Sequence, residues 1–342
     1  MRNSKLNICD TIINPGEIAN LALPLPEEYS CNPLFMPIRV IHGKQKGPCL
    51  IIFSILKGDE LNGLEIANQI VDSLNPSDIK GTLIAIPVLN VYGLTRYPSS
   101  LPTKDLNLVD CFPGSEAGSY GERLAHLFTH QILKKGDYCI ELQTGAKNYN
   151  ILPQVYCNFE NKKAKQLARI FQTPVITNVT LEGNLLRQTT EELNIPLLVY
   201  QGGEAMRFDE GAIQIGIQGV LNVMKAIDIL PATPLEETTS IFSQDEDWIL
   251  SSKSGILHTD VSLGQVIKKT ELIGRISDPF SSEPPEKVKA PYEGVVVGIN
   301  TTPLIHEGLP IFKIATFIDN TKAENTIEAW DKKQIDSYIG QA

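Results

Sequence analysis

Through about residue 230, short apolar runs bounded by turn residues alternate with segments whose apolar positions recur at helical spacing. The runs PCLIIFSIL (48–56), TLIAIPVLN (82–90), YCIELQT (138–144), PVITNV (174–179) and PLLVYQG (196–202) are rich in Val, Ile and Leu. They are apolar at successive positions, so they read as strands covered on both faces; a strand with one wet face would alternate. Between them, LNGLEIANQIVDSL (61–74) places Leu64, Ala67, Ile70, Val71 and Leu74 on one stripe. GERLAHLFTHQILKK (121–135) and GAIQIGIQGVLNVMKAIDIL (211–230) carry the same period. This alternation predicts a mixed α/β sheet flanked by helices over residues 1–232.

After Leu230 the pattern changes. PATPLEETTS (231–240) reads as a linker. From 247 to 317, β runs such as ELIGRIS (271–277) and LPIFKIATF (309–317) follow one another with close turn signals and no helical period. They predict a smaller C-terminal β-barrel or sandwich domain over 240–320. Residues 321–342 form a polar tail with room for one short helix.

The 342-residue length suits two domains. A formal net charge of −10 removes electrostatic support for nucleic acid or an anionic membrane surface. No stretch approaches the ~20 apolar residues of a membrane span, and MRNSKLNICDTIINPGE has no apolar core of a signal peptide. The expected location is cytoplasmic. The six cysteines form no C-x-x-C pair, which fits free thiols in a reducing compartment.

In open α/β sheets, ligands gather outside the carboxyl ends of the strands. Three such ends here carry Lys57-Gly58-Asp59-Glu60, Gln143 and Gln201. Gly58, Gly145, Gly202 and Gly203 suit tight turns there. Asp209 or Glu210 suits the entry to the helix that follows.

Several segments occur in a telling order: NPGE (14–17), IRVIHGKQKGPCL (38–50), KGDELNG (57–63), IPVLNVYG (86–93), FPGSEAGSYGERLA (112–125), ELQTGAKNYNILPQVY (141–156), EGNLLR (182–187) and YQGGEAMRFDEG (200–211). Together, over nearly the whole chain, they resemble the succinylglutamate desuccinylase/aspartoacylase family of zinc-carboxypeptidase-like hydrolases. The resemblance implies a zinc-carboxypeptidase-like fold and zinc-dependent hydrolysis of amide bonds in N-acyl amino acids or similar small molecules. In the family, the His and Glu of His-Gly-Asp-Glu bind zinc; here those positions are Lys57 and Glu60. The third ligand belongs to Asp-Leu-His-Thr-Gly, and Gln143 takes its place in Glu141-Leu142-Gln143-Thr144-Gly145. The general-base Glu of Tyr-Glu-x-Gly is here Gln201. The family also grips a substrate carboxylate with an Asn-Arg pair before Phe-Pro-Gly; the loop here, Asp105-Leu106-Asn107-Leu108-Val109-Asp110-Cys111, aligns no Arg. Of the substrate-binding set, Asn107 and Arg187 remain, and Arg187 would either hold an anionic group or pair with a carboxylate such as Glu182.

Catalytic zinc needs about three N, O or S ligands and an open position for water. The Lys57 ammonium has no lone pair to give, an amide is a poor zinc ligand, and Gln201 cannot take a proton from water. The histidines at 42, 126, 130, 258 and 306 are scattered; His126 and His130 share helical i,i+4 spacing, which reads as one face of an amphipathic helix. The expectation is therefore a non-catalytic binding or regulatory relative with no cofactor, taking a small anionic ligand or a protein partner. The alternatives are an active metal-dependent hydrolase holding zinc through unorthodox ligands, and metal-free chemistry with Lys57 as base or nucleophile. Lys57, Glu60, Gln143 and Gln201 sum to zero charge, as zinc with two glutamates would. Lys57 either pairs with Glu60 in the place of zinc or points to solvent.

Overall fold

The computed structural model describes residues 2–26, 33–95, 107–233, 240–319 and 322–330. Most of the expected linker (234–239), Asp105 and Leu106 of the loop, and the tail from 331 lie outside the described residues.

A hairpin of β1 (Leu6–Ile8) and β2 (Thr11–Ile13) precedes the antiparallel pair β3 (Glu17–Pro24) and β4 (Phe35–His42). The chain continues through β5 (Gln45–Ser54), α1 (Leu61–Ser73), β6 (Lys80–Ile86), α2 (Val91–Thr95), a 3-10 turn at Leu108–Cys111 and α3 (Tyr120–Gln131). Then come β7 (Tyr138–Gly145), β8 (Tyr149–Cys157), α4 (Lys162–Phe171), β9 (Val175–Asn178), α5 (Leu185–Glu192), β10 (Leu197–Glu204) and α6 (Glu210–Ala226). The C-terminal strands are β11 (Ile241–Phe242), β12 (Asp245–Leu250), β13 (Gly255–Thr259), β14 (Val266–Ile267), β15 (Leu272–Ser277), β16 (Glu286–Lys289), β17 (Gly294–Asn300), β18 (Leu304–Ile305) and β19 (Pro310–Thr316). A helical segment follows at 322–330.

The middle of the sheet explains the continuous apolar runs. Strands β10, β7, β5 and β6 are parallel, and alternate residues of β5 enter two different cores. Leu50 and Ile52 pack under α1, α4 and α6, while Ile51 and Phe53 pack against α3 and the N-terminal strands. Both faces are dry, as a parallel sheet clothed by helices requires. Antiparallel strands extend this centre on both sides, in the order β12-β19-β17-β8-β10-β7-β5-β6-β4-β3; with β9 on β8, β11 on β9 and β14 on β17, the described residues make a mixed sheet of 13 strands.

Strand β8 was not among the sequence-predicted strands. Its segment carries Asn150, Pro153 and Gln154, which break the apolar run. A register shift on β10 between Gln201 and Gly203 falls opposite Pro153, where the missing N–H would otherwise interrupt the ladder.

In the C-terminal region, β13, β15, β16 and β18 form a second, four-stranded sheet. It packs on β17 and β19 through Leu257, Ile273, Ile276, Phe312 and Ile314, making a small sandwich. The outer layer of that sandwich belongs to the large sheet. Strand β17 is hydrogen-bonded to β8, pairing Gly298 with Ile151 and Asn300 with Tyr149. Among the described residues no helix is long and apolar enough to cross a membrane, and Cys9, Cys49, Cys111, Cys139 and Cys157 are free thiols.

Candidate functional site

At the end of β5 the chain turns through Ile55 (φ +52°) and Gly58 (φ +94°) before entering α1. A β-branched residue in the left-handed region costs ~1–3 kcal/mol and persists only where its surroundings fix it. Here Ile55 is fully buried, its carbonyl accepts the Asn90 N–H (2.9 Å), and the Asn90 amide donates to the Leu56 carbonyl (2.9 Å). A Cβ on Gly58 would lie 2.4 Å from the Gly93 carbonyl oxygen, so only glycine fits.

This fixed turn buries Glu60, which is 1% exposed. Glu60 Oε2 accepts from the backbone N–H of Leu56 (2.8 Å) and of Lys57 (3.3 Å), whereas Oε1 has no protein partner. Burial pushes the Glu60 carboxyl up to about 7; the Lys57 charge and the two backbone bonds oppose that rise, and Glu141 adds to it. The Lys57 side chain is exposed and forms no ion pair within 4.0 Å. Glu60 therefore bonds the backbone of Lys57, not its ammonium, and the ammonium acts on Glu60 and Glu141 through space.

Three adjacent strands carry a row of amides. Gln143 on β7 pairs in register with Gln201 on β10, which pairs with Gln154 on β8. Gln143 Nε2 donates to Glu141 Oε1 (2.5 Å), and Gln143 Oε1 accepts from Gln201 Nε2 (3.4 Å). The same Gln201 nitrogen reaches the Thr144 carbonyl (3.4 Å), and Gln201 Oε1 accepts from the Tyr156 hydroxyl (3.3 Å). Tyr156 in turn accepts from Lys313 Nζ (3.4 Å), and Lys313 is ion-paired with Glu246. A zinc-bound imidazole is usually oriented by a carboxylate behind it; here the buried Glu141 orients an amide instead. Burial raises the Glu141 carboxyl, against the Gln143 bond and the charges of Arg187 and Lys57. Burial also raises the Tyr156 hydroxyl well above its ordinary range, with Glu246 adding to the effect. Gln154 is fully buried, and neither of its amide atoms has a protein partner.

Buried Asn62 braces the end of β10. Its Nδ2 donates to the Gly202 carbonyl (3.2 Å), and its Oδ1 accepts the Asp209 N–H (3.0 Å). Asp209 caps α6 by accepting from Ala212 N–H (3.0 Å), in line with the sequence expectation for that helix entry.

The substrate-binding candidates lie beside this network. Asn107 is exposed at the start of the 3-10 turn, which packs against α5. Arg187, in the first turn of α5, makes no ion pair within 4.0 Å, so the pairing with Glu182 is absent. Its Nε is buried without a partner, and it lines a cavity of about 20 Å³, the size of one water, together with Tyr156.

A larger cavity of about 300 Å³ opens on the other side of Gln201, bordered by Tyr149, Ile151, Trp248, Pro310 and Lys313. The Tyr149 and Trp248 rings meet nearly edge to face, with centroids 5.0 Å apart and planes at 72°. No histidine borders it. His126 and His130 stack on α3 with centroids 4.0 Å apart, and His42 bonds Thr82 and the Ser4 carbonyl. Tyr156, Lys313, Glu246, Gln154, Trp248 and Asn62 were not singled out from the sequence.

The donor set does not fit zinc. Lys57, Glu60 and Gln143, the positions that the resemblance assigns to zinc ligands, offer an exposed ammonium, one carboxylate and one amide, of which only the carboxylate is a good zinc donor. Among the described residues, no three His, Cys, Asp or Glu side chains gather where they could hold a metal.

The fold is a large mixed α/β sheet with parallel central strands, polar residues at their carboxyl ends and an added β region. The catalytic-domain model of the succinylglutamate desuccinylase/aspartoacylase family matches residues 46–227, and the chain belongs to that family of deacylases. The N-alpha-acetyl-L-2,4-diaminobutyric acid deacetylase of Halomonas elongata is 23% identical over 313 residues, covering 88% of this chain and 91% of that protein. Among solved structures, the product-bound ectoine utilization protein EutE (DoeB) of Ruegeria pomeroyi superposes with a TM-score of 0.79 at 21% identity, covering 92% of this chain and 98% of the other. A succinylglutamate desuccinylase/aspartoacylase from Rhodobacter sphaeroides gives 0.79 at 19% identity, covering 90% and 97%.

Proposed function

We propose that this family member does not hydrolyse amides by the zinc mechanism and binds a small molecule without turning it over. The observation that carries this reading is the hydrogen-bonded chain Glu141–Gln143–Gln201–Tyr156, in which amides stand at both the third ligand position and the base position. An amide neither holds zinc well nor accepts a proton near neutral pH. Single catalytic groups of this kind are each worth ~10²–10⁴ in rate, so losing the base and two ligands together leaves no hydrolytic rate by that route. Asn107 and Arg187 are the proposed contacts for an anionic group approaching from the α5 side; Arg187's unpartnered Nε supports this. The proposal also divides the chain at 1–232 and 240–320 and places it in the cytoplasm, which its free thiols support.

Protein purified with added zinc tests the reading by elemental analysis and by assay on N-acetyl amino acids. Substoichiometric zinc and no turnover are expected. Stoichiometric zinc with turnover would establish the alternative, a metal-dependent amide hydrolase. The combined change Lys57→His, Gln143→His and Gln201→Glu should restore zinc uptake on the same scaffold.

A further inference from the structure

We propose that the cavity between Gln201 and Trp248 takes an uncharged planar heterocycle whose hydrogen-bond donor and acceptor lie side by side on one edge. This concerns the Trp248 side of Gln201, a site whose wall includes neither Asn107 nor Arg187 and which is separate from the anion contacts proposed at those two residues; it rests on the non-catalytic reading.

The shape comes from the register of the continuous sheet. Trp248 on β12 pairs with Lys313 on β19, which pairs with Gly298 on β17, which pairs with Ile151 on β8. A glycine in the middle of that row leaves a trough. A Cβ there would meet Lys313 Cβ at 2.8 Å and both Ile151 Cδ1 and Trp248 Cη2 at 3.0 Å. Trp248 can therefore lie down across β17, and with Tyr149 it forms an aromatic corner with the ring planes at 72°. Pro310 and Ile151 complete apolar walls around about 300 Å³, the lower end of the ~300–1,000 Å³ range of small-molecule sites. Such a corner favours a flat ring, through stacking on one indole or phenol and edge contact with the other.

The charge of the cavity selects against ions. Among the described residues, Lys313 is the only Lys, Arg, Asp, Glu or His on its wall, and its ammonium is already paired with Glu246. A charged ligand would lose its hydration with no free countercharge to replace it.

The polar edge comes from the amides. All three hydrogen bonds of Gln201 are 3.3–3.4 Å long, beyond the 2.7–3.2 Å of well-formed bonds, so a better-placed partner displaces them at little cost. A carboxamide offers a donor and an acceptor side by side and pairs with a ring edge of the same pattern, as Gln does with adenine.

The chain has two tryptophans, so Trp330→Phe leaves Trp248 as the reporter of this cavity. Adenine and nicotinamide serve as planar uncharged probes and N-acetylglutamate as the acyclic charged one, titrated against zinc-free protein. Saturable quenching of Trp248 by a planar probe is expected, with N-acetylglutamate at least tenfold weaker. Gln201→Leu should weaken the planar probe at least tenfold, and Gly298→Ala should do the same by pushing the Trp248 ring off β17. If circular dichroism shows Gly298→Ala unfolded, Gln201→Leu alone decides. A flat titration with both planar probes, equal quenching of Trp248 by N-acetylglutamate, or unchanged affinity in the folded variants would overturn the ligand assignment. None of those results touches the non-catalytic reading, which falls only to stoichiometric zinc with turnover.

Discussion

The Lys313–Glu246 pair offers a direct measure of how far the C-terminal strands support the site. The two side chains are 14% and 12% exposed and ion-paired, and the Lys313 ammonium also lies 5.6 Å from the centre of the Tyr156 ring. Lys313→Met keeps most of the apolar stem and removes only the charge. What remains is a nearly buried Glu246 carboxylate whose Oε2 already lacks a partner, beside a tyrosine hydroxyl. Removing one member of a buried pair costs ~3–5 kcal/mol, against ~0–1 kcal/mol for an exposed pair. Residual exposure on both sides admits some water, which places the expected loss at about 3 kcal/mol. The double change Lys313→Met with Glu246→Leu removes the stranded charge and should return to within about 1 kcal/mol of the parent, because apolar replacements of buried pairs are close to neutral. Urea unfolding followed by circular dichroism on the parent, both single variants and the double variant closes the cycle and gives the coupling energy. A Lys313→Met loss below about 1 kcal/mol would show that water screens the pair as at a surface. A double variant no better than the single would show that the cost is packing. Either result refutes the electrostatic account.

Lys57→Ala should shift stability by no more than ~0.5 kcal/mol, since the side chain is exposed and unpaired; a melting temperature lower by several degrees would mean that the ammonium does stand in for the metal. Gly58→Ala should cost ~2–4 kcal/mol in a thermal or urea melt, because it combines φ +94° with a Cβ 2.4 Å from a carbonyl oxygen; near-neutral behaviour would refute the fixed turn. Glu60 titrates near 7 in the fold against 4.5 ordinarily, so the native state holds the extra proton between those values. Stability should therefore fall as pH rises through that window. Glu60→Gln keeps an acceptor for the Leu56 and Lys57 N–H groups and should flatten the decline, as read from urea midpoints at pH 5 and 8; a slope equal to the parent's would refute the assignment.

The α/β centre was legible because its strands are buried on both faces and carry no polar interruption, as in Leu50 to Phe53. Strand β8 escaped because Asn150, Pro153 and Gln154 break the run that periodicity relies on, and the last two lie at the bulge and in the amide row. Helix α5, LLRQTTEE, escaped because its threonines lower intrinsic helix propensity; Asn184 starts it by accepting from the Arg187 N–H (3.0 Å). At the site, Lys57, Glu60, Gln143 and Gln201 were legible by their place at strand ends and by family resemblance. Lys313, Glu246 and Trp248 were not, because only the pairing of β17 with β8 brings them to Gln201. That pairing joins residues about 150 positions apart, and local pattern carries no information about it.

The same ladder limits how anything enters. Swinging the C-terminal strands aside as a lid would sever backbone bonds between β17 and β8 and expose sheet edges on both parts. Exchange with solvent then runs through the cavity's own mouth, leaving the strands that carry Trp248 and Tyr149 in place.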